Sequence, residues 1–250
     1  MKSLIQIDCS NYYIKRLFLL CQAIIFLNYC TSKKNTTVQE YPALPQNVEG
    51  FVFLCNEFGQ FQQNNSGVTV FLDSTSFTTT TDTVGKFTLQ NVPAGNYTIT
   101  FTKSGYGTYK SSYSDYLGGE TYQLPTTSLY ATPTTTVTGL SAQIVDSVVQ
   151  VSGVLSPAGS ETQPRSALLF ASLSPSVSPD NYTQAFIAYE DTGSSINFSP
   201  VLSSFSSGQM VYLVAYGASA NSYYKNPVTG KLVYPFVGST ASNVATVVAP

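Results

Sequence analysis

From Glu49 onward the chain alternates apolar and polar residues with a period of two. Val68, Val70 and Leu72 share one face of an extended segment, with Thr69 and Phe71 on the other. Phe87 and Leu89 alternate with Lys86 and Thr88, and Tyr97, Ile99 and Phe101 alternate with Asn96, Thr98, Thr100 and Thr102. Successive side chains of a β-strand point to opposite faces, so these runs are the signature of half-buried strands. Turn clusters separate them: Asn64-Asn65-Ser66-Gly67, Asp82-Thr83-Val84-Gly85, Pro93-Ala94-Gly95-Asn96 and Ser104-Gly105. Short strands with turns about every 8–12 residues predict an antiparallel sandwich.

The composition suits such a fold and narrows the chemistry. Ser and Thr together supply 61 of 250 residues, and Thr is a β-branched residue that fits the wet face of a strand. Charged residues make up 10%, against about 25% in an average soluble protein. There is no histidine, which removes Ser-His-Asp and Cys-His catalysis, histidine metal ligands and histidine general bases. Eleven scattered Lys and Arg residues do not form a nucleic-acid footprint.

The N-terminal segment reads as a targeting signal. Lys15 and Arg16 precede an apolar run of 11 residues, Leu17 to Leu27, followed by polar Thr31-Ser32-Lys33-Lys34-Asn35. A basic n-region and a short apolar h-region are the pattern of a secretory leader. A membrane-spanning helix needs about 20 apolar residues. Leu27-Asn28-Tyr29-Cys30 resembles the lipobox of bacterial lipoproteins, in which an apolar residue stands three before a cysteine that is lipidated and becomes the new N-terminus. Tyr29 departs from that pattern, where a small residue is usual. The resemblance implies a signal peptide over residues 1–29, a lipid on Cys30 and a location in the cell envelope, with the outer membrane the expected site. Residues 30–48 then read as a polar tether containing Pro42 and Pro45. Without the leader the chain carries eight basic and twelve acidic residues, a net charge of −4. Of four cysteines only Cys55 would keep a free thiol, in the apolar run Phe51–Cys55, where it reads as a small buried hydrophobe.

A more specific resemblance lies downstream of the tether. Gly50-Phe51-Val52, Gly67–Leu72, Thr81–Leu89 with Asp82, Gly85 and Phe87, Val92–Ile99 with Pro93, Gly95 and Tyr97, and Gly105-Tyr106 follow one another in order. This series resembles the carboxypeptidase regulatory-like domain over about residues 49–132. That resemblance implies a transthyretin-type sandwich. The residues that carry it are folding residues. Asp82 can bond its own turn, Gly85 permits positive φ, Pro93 presets a turn and Gly95 ends it without steric cost. The zinc peptidase domain after which the family is named needs His and Glu ligands, and this chain has no histidine.

Residues 133–143 are the expected linker to a second sandwich over 144–250. Its predicted strands are Ile144–Leu155, Ser166–Leu173, Tyr182–Tyr189, Ser195–Phe198, Met210–Tyr216, Leu232–Val237 and Val244–Val248. About seven strands in this length predict an immunoglobulin- or fibronectin-like sandwich, without the Cys…Trp…Cys core of a true immunoglobulin domain. The fold expected is therefore all-β, two consecutive antiparallel sandwiches.

Sites are harder to read. The carboxylates are sparse, and Glu190-Asp191 followed by Thr192-Gly193 looks like a turn. Asp115 to Glu120 lacks the alternating oxygen-ligand series of a calcium loop. No catalytic, metal or cofactor site is assigned. Tyrosines are the surface candidates: Tyr106, Tyr109, Tyr113 and Tyr116 in a segment that reads as irregular, and Tyr223 and Tyr224 in another loop. Tyrosine suits binding surfaces because it offers a stiff ring and a hydroxyl, and it also packs sandwich edges. The function expected is a non-enzymatic, lipid-anchored binding, adhesion or scaffold module with an unknown protein or glycan partner. A carbohydrate-binding subunit of a surface nutrient-uptake system is the alternative, and a hydrolase using carboxylates alone is a third reading.

Overall fold

The computed structural model describes residues 44–116, 118–190 and 193–250. The leader, Cys30 and the tether through residue 43 lie outside them, as does Asp191. The described chain is all-β. Its strands are β1 (Gln46–Cys55), β2 (Thr69–Leu72), β3 (Thr78–Thr80), β4 (Lys86–Val92), β5 (Gly95–Thr102), β6 (Tyr109–Tyr116), β7 (Tyr122–Gln123), β8 (Thr127–Tyr130) and β9 (Thr136–Val145). They continue as β10 (Val148–Ser156), β11 (Arg165–Ser172), β12 (Gln184–Glu190), β13 (Ser195–Phe198), β14 (Met210–Ala218), β15 (Tyr224–Lys225), β16 (Leu232–Val233), β17 (Val237–Ala241) and β18 (Ala245–Val248). Two boundaries differ from the sequence reading. β1 begins inside the stretch read as tether, because Val48 is the first of the inward residues and is buried. Most of the expected linker belongs to β9.

The first sandwich places β4-β1-β7, with β8 also on β1, against β3-β2-β5-β6. Val52, Leu54, Val70, Leu72, Phe87, Leu89, Ile99, Phe101 and Leu129 fill the space between them. These are the inward positions of the period-two pattern, and Phe87 meets Phe101 edge-on with centroids 5.9 Å apart. One expectation fails here: β1 pairs with β7 and β8 in parallel, not antiparallel. The chain leaves β6 in the opposite sheet and crosses before rejoining β1, which is the connection that parallel pairing requires. Pro125, which has no N–H to donate, separates β7 from β8.

The Asp82–Gly85 turn shows how local chemistry sets this sandwich. Asp82 Oδ1 accepts from the N–H groups of Val84 and Lys86 at 3.0 and 2.8 Å. Gly85 has φ +88°, and a Cβ there would stand 2.2 Å from the Val52 carbonyl oxygen. The close approach lets Val52 N–H donate to the Gly85 carbonyl at 2.9 Å. Gly95 does not take positive φ; it makes room for Tyr97, whose hydroxyl would lie 3.1 Å from an added Cβ.

The second sandwich sets β13-β10-β9 against β12-β11-β14-β17, with β18 also on β14. The predicted strand Ile144–Leu155 is in fact two strands, because Asp146 and Ser147 adopt φ of 49° and 64° and turn β9 back into β10. Positive φ at both positions is the geometry of a two-residue hairpin turn. Along β10 burial alternates strictly, with Val149, Val151 and Leu155 inward. β11 is buried at all eight positions. Its second face, with Leu168 and Phe170, is covered by Val177, Tyr182, Tyr216 and Tyr234. A strand covered on both faces reads as a continuous apolar run, which is how Ala167–Ala171 appears in the sequence.

The segment between β14 and β17 joins the two sandwiches. Its ends are tied where Ser219 N–H donates to the Phe236 carbonyl at 3.0 Å. Its middle forms the small β15–β16 hairpin. Phe236 at its end is 1% exposed and belongs to the core of the first sandwich, not the second. Its ring lies 5.1 Å from Tyr130 and stacks on Tyr109 at 6.4 Å with an interplanar angle of 5°. Gly107 allows this approach, since a Cβ there would sit 2.1 Å from the Pro235 carbonyl oxygen and 2.6 Å from the Phe236 ring. Tyr182, Tyr234 and Phe170 clamp the segment to the second sandwich, with Tyr182 Oη donating to the Leu232 carbonyl at 2.7 Å.

A polar tie supplements it. Glu57, after β1, accepts from Thr134 N–H at 2.6 Å and faces Arg165 of β11 at 3.6 Å. Arg165 also donates to Thr135 Oγ1 at 2.7 Å and stacks 5.2 Å over Phe58. The two charged side chains are 6% and 15% exposed. Removing one partner of a buried pair leaves the other uncompensated. Glu57→Ala is therefore expected to destabilise the protein by about 3–5 kcal/mol in urea titrations. Glu57→Gln, which removes the charge but retains an acceptor for Thr134, is expected to cost less; equal losses would show that the charge on Glu57, not its hydrogen bond from Thr134, carries the tie.

Candidate functional site

The tyrosines singled out in the sequence do not form one surface. Tyr109, Tyr113 and Tyr116 lie on β6, in a segment that reads as irregular but is an eight-residue strand. A bulge opposite Gly95 and Tyr97 shifts the register, so that Tyr113 and Tyr116 both face the first core although they are three residues apart. Tyr116 is 6% exposed and its hydroxyl has no hydrogen-bond partner. Tyr113, Tyr97 and Tyr122 surround it, with Tyr122 at 5.5 Å and 41% exposed as the outer cover. Burial pushes the Tyr116 and Tyr113 hydroxyls above their ordinary pKa. Tyr106 is partly buried against the same core.

Tyr223 and Tyr224 separate in space. Tyr223 is 49% exposed and leans on Tyr234 at 5.7 Å. Tyr224 of β15 meets Tyr109 of β6 edge-on at 5.7 Å. Thus of the tyrosines singled out in the sequence, Tyr109 and Tyr224 meet across the junction of the sandwiches. Tyr130 and Phe236 complete that aromatic group, and neither was a candidate in the sequence; their positions depend on chain pairing far from either residue.

Two recesses flank the junction. The smaller, about 200 Å³, is lined by Tyr109, Thr126, Thr127, Ser128, Tyr130 and Ser222. Each of these six side chains carries a hydroxyl, and none carries a charge. The larger is an open groove of about 600 Å³ between Ser112 and the hairpin residues 225–230. Asn226 shapes its wall by accepting from Val228 and Thr229 N–H at 2.9 and 3.1 Å, which leaves Val228 90% exposed at the tip.

The carboxylates near these features hold structure. Lys110 donates to Asp73 at 2.7 Å, and Thr100 also donates to it. Burial raises the Asp73 pKa, but these two hydrogen bonds and the Lys110 charge outweigh it and hold the carboxyl below its usual range. Hydrogen bonds from Gln123 and Lys86 likewise lower that of Glu49. Cys55 is 1% exposed, and burial pushes its thiol pKa up, which keeps it protonated. Among the described residues no group of three or more Cys, Asp or Glu is placed to hold a metal ion.

The orphan hydroxyl of Tyr116 yields a direct prediction. A buried polar group without a partner carries its desolvation cost, about 1–3 kcal/mol. Tyr116→Phe keeps the ring and is expected to raise the urea midpoint; a lower midpoint would mean that the hydroxyl is satisfied in solution.

A family model for the CarboxypepD_reg-like domain matches residues 59–128, the span from the turn after β1 into β8. No curated protein sequence matches the chain. Among solved structures, a DUF3823 family protein from Bacteroides uniformis is 12% identical over 82% of this chain and 100% of its own, with a TM-score of 0.31. A candidate carbohydrate-binding protein from the same species is 11% identical, covering 82% of this chain and 99% of its own, with a TM-score of 0.30. A type II cohesin–X-dockerin complex from Acetivibrio cellulolyticus contains a chain 24% identical over 35% of this one, with a TM-score of 0.30; the match spans 58% of that chain's length. The Asp82–Gly85 turn and strands β2 to β7 lie within the matched residues, so this part of the chain matches the carboxypeptidase regulatory-like domain that the sequence resembles.

Proposed function

We propose that this protein is a lipid-anchored component of the cell envelope in which two joined sandwiches act as a non-enzymatic binding, adhesion or scaffold module. The anchor rests on the sequence: a basic and apolar leader ending at Cys30, then a polar tether. A lipid supplies about 0.8 kcal/mol per buried methylene, and more than one acyl chain is needed for stable attachment. The structural observation that carries the binding role is the junction. The second sandwich inserts Phe236 into the core of the first, so the recesses on either side have fixed walls. Glu49, Glu57, Asp73 and Asp82 are engaged in ion pairs, hydrogen bonds and a turn, which supports display over carboxylate catalysis.

The uncharged recess lined by hydroxyls favours a second reading, a carbohydrate-binding subunit of a surface nutrient-uptake system. Cells fed a labelled fatty acid are expected to transfer label to this protein and to lose that transfer with Cys30→Ser. A Cys30→Ser protein that remains in the membrane fraction would contradict the anchor. Cross-linking on intact cells separates the two roles: a transporter neighbour supports uptake, and matrix or host proteins support adhesion.

A further inference from the structure

We infer that the smaller recess at the junction is a binding site for one neutral sugar ring, contacted from both sandwiches. The inference rests on the carbohydrate-binding reading and narrows it to one neutral ring held between residues of both sandwiches. Tyr109, Thr126, Thr127, Ser128 and Tyr130 come from the first sandwich, and Ser222 comes from the segment between β14 and β17. A hydroxyl donates one hydrogen bond and accepts others, and its proton rotates to suit the partner. A lining made only of hydroxyl-bearing residues matches a ligand that itself presents several donors and acceptors in a ring, which is the chemistry of a polyol.

The lining holds no cationic side chain, which disfavours an anionic ligand. A carboxylated or phosphorylated ligand entering this recess would lose water without gaining a cationic partner there, and desolvating an unpaired charge is costly. Sites for drug-sized molecules occupy about 300–1,000 Å³, so an open recess of about 200 Å³ offers contact to about one ring.

The two tyrosines add an apolar surface and a fixed shape. Both rings are held by Phe236, stacked on Tyr109 and edge-on to Tyr130, and Tyr224 braces Tyr109 from β15. A site whose rings are held before binding loses less entropy on ligand capture. Clefts at domain junctions are also where ligand sites concentrate.

The test uses the full chain and methyl glycosides of glucose, galactose, mannose and N-acetylglucosamine, with methyl glucuronide as the charged control, in calorimetric or saturation-transfer titrations. At least one neutral glycoside is expected to bind saturably. Ser222→Trp and Thr126→Trp, which fill the recess from the second and the first sandwich respectively, should each weaken it at least ten-fold. Val201→Trp, at an exposed position between β13 and β14 that lines neither recess, should leave it unchanged. The glucuronide should bind at least ten-fold more weakly than the methyl glucoside. The site is overturned if no neutral glycoside saturates the protein. It is equally overturned if both recess variants keep the wild-type affinity, or if the charged sugar binds as well as the neutral one. Glycosides that fail on a protein that still cross-links to an envelope partner would remove this site and leave the binding-module reading standing; failure of both would remove both.

Discussion

The burial of Phe236 is the contact on which the arrangement of this molecule depends. The residue leaves the second sandwich, yet its ring is enclosed by Tyr109, Tyr130 and the core of the first. Truncating a buried phenylalanine typically costs about 3–5 kcal/mol, which is a large share of the 5–15 kcal/mol by which a domain is stable. That one contact therefore couples the folding of two sheets-on-sheets that could otherwise behave as separate domains. Gly107 is what permits it, since any side chain there would collide with the Pro235 carbonyl and the Phe236 ring.

The charged tie through Glu57 and Arg165 contributes in a different way. Buried ion pairs add little net stability relative to apolar contacts, but they tolerate few alternative arrangements. Arg165 engages Glu57, Thr135 and Phe58 together. Phe236 supplies burial, and the Arg165 group supplies register between the chain before and after β9. Phe236 also packs directly against Tyr109 and Tyr130, two walls of the recess that Ser222 completes.

What could be read from the sequence follows from how local each determinant is. The Asp82–Gly85 turn and the strands around it were legible, because a carboxylate that bonds its own turn and a glycine at positive φ act within four residues. β11 was legible as a continuous apolar run. β6 was not, because Ser111, Ser112 and Ser114 break the apolar alternation and a bulge moves the inward face between Tyr113 and Tyr116. The hairpin turn at Asp146-Ser147 was hidden because it lacks the glycine that usually marks positive φ. The run that reads as one strand from Leu232 to Val237 is broken between β16 and β17, and Phe236 lies in that break, within the core of the first sandwich. The recess was invisible, since it joins Thr126–Tyr130 to Ser222 through tertiary contact alone; only Tyr109 among its residues had been singled out.

Native-state hydrogen exchange tests the coupling of the two sandwiches most directly. The slowest amides of β5 in the first and of β11 in the second report the opening free energy of each core. If Phe236 welds the two into one cooperative unit, both sets exchange with the same free energy in the wild-type protein and separate in Phe236→Ala. Two distinct opening free energies in the wild-type protein, unchanged by Phe236→Ala, would contradict the account.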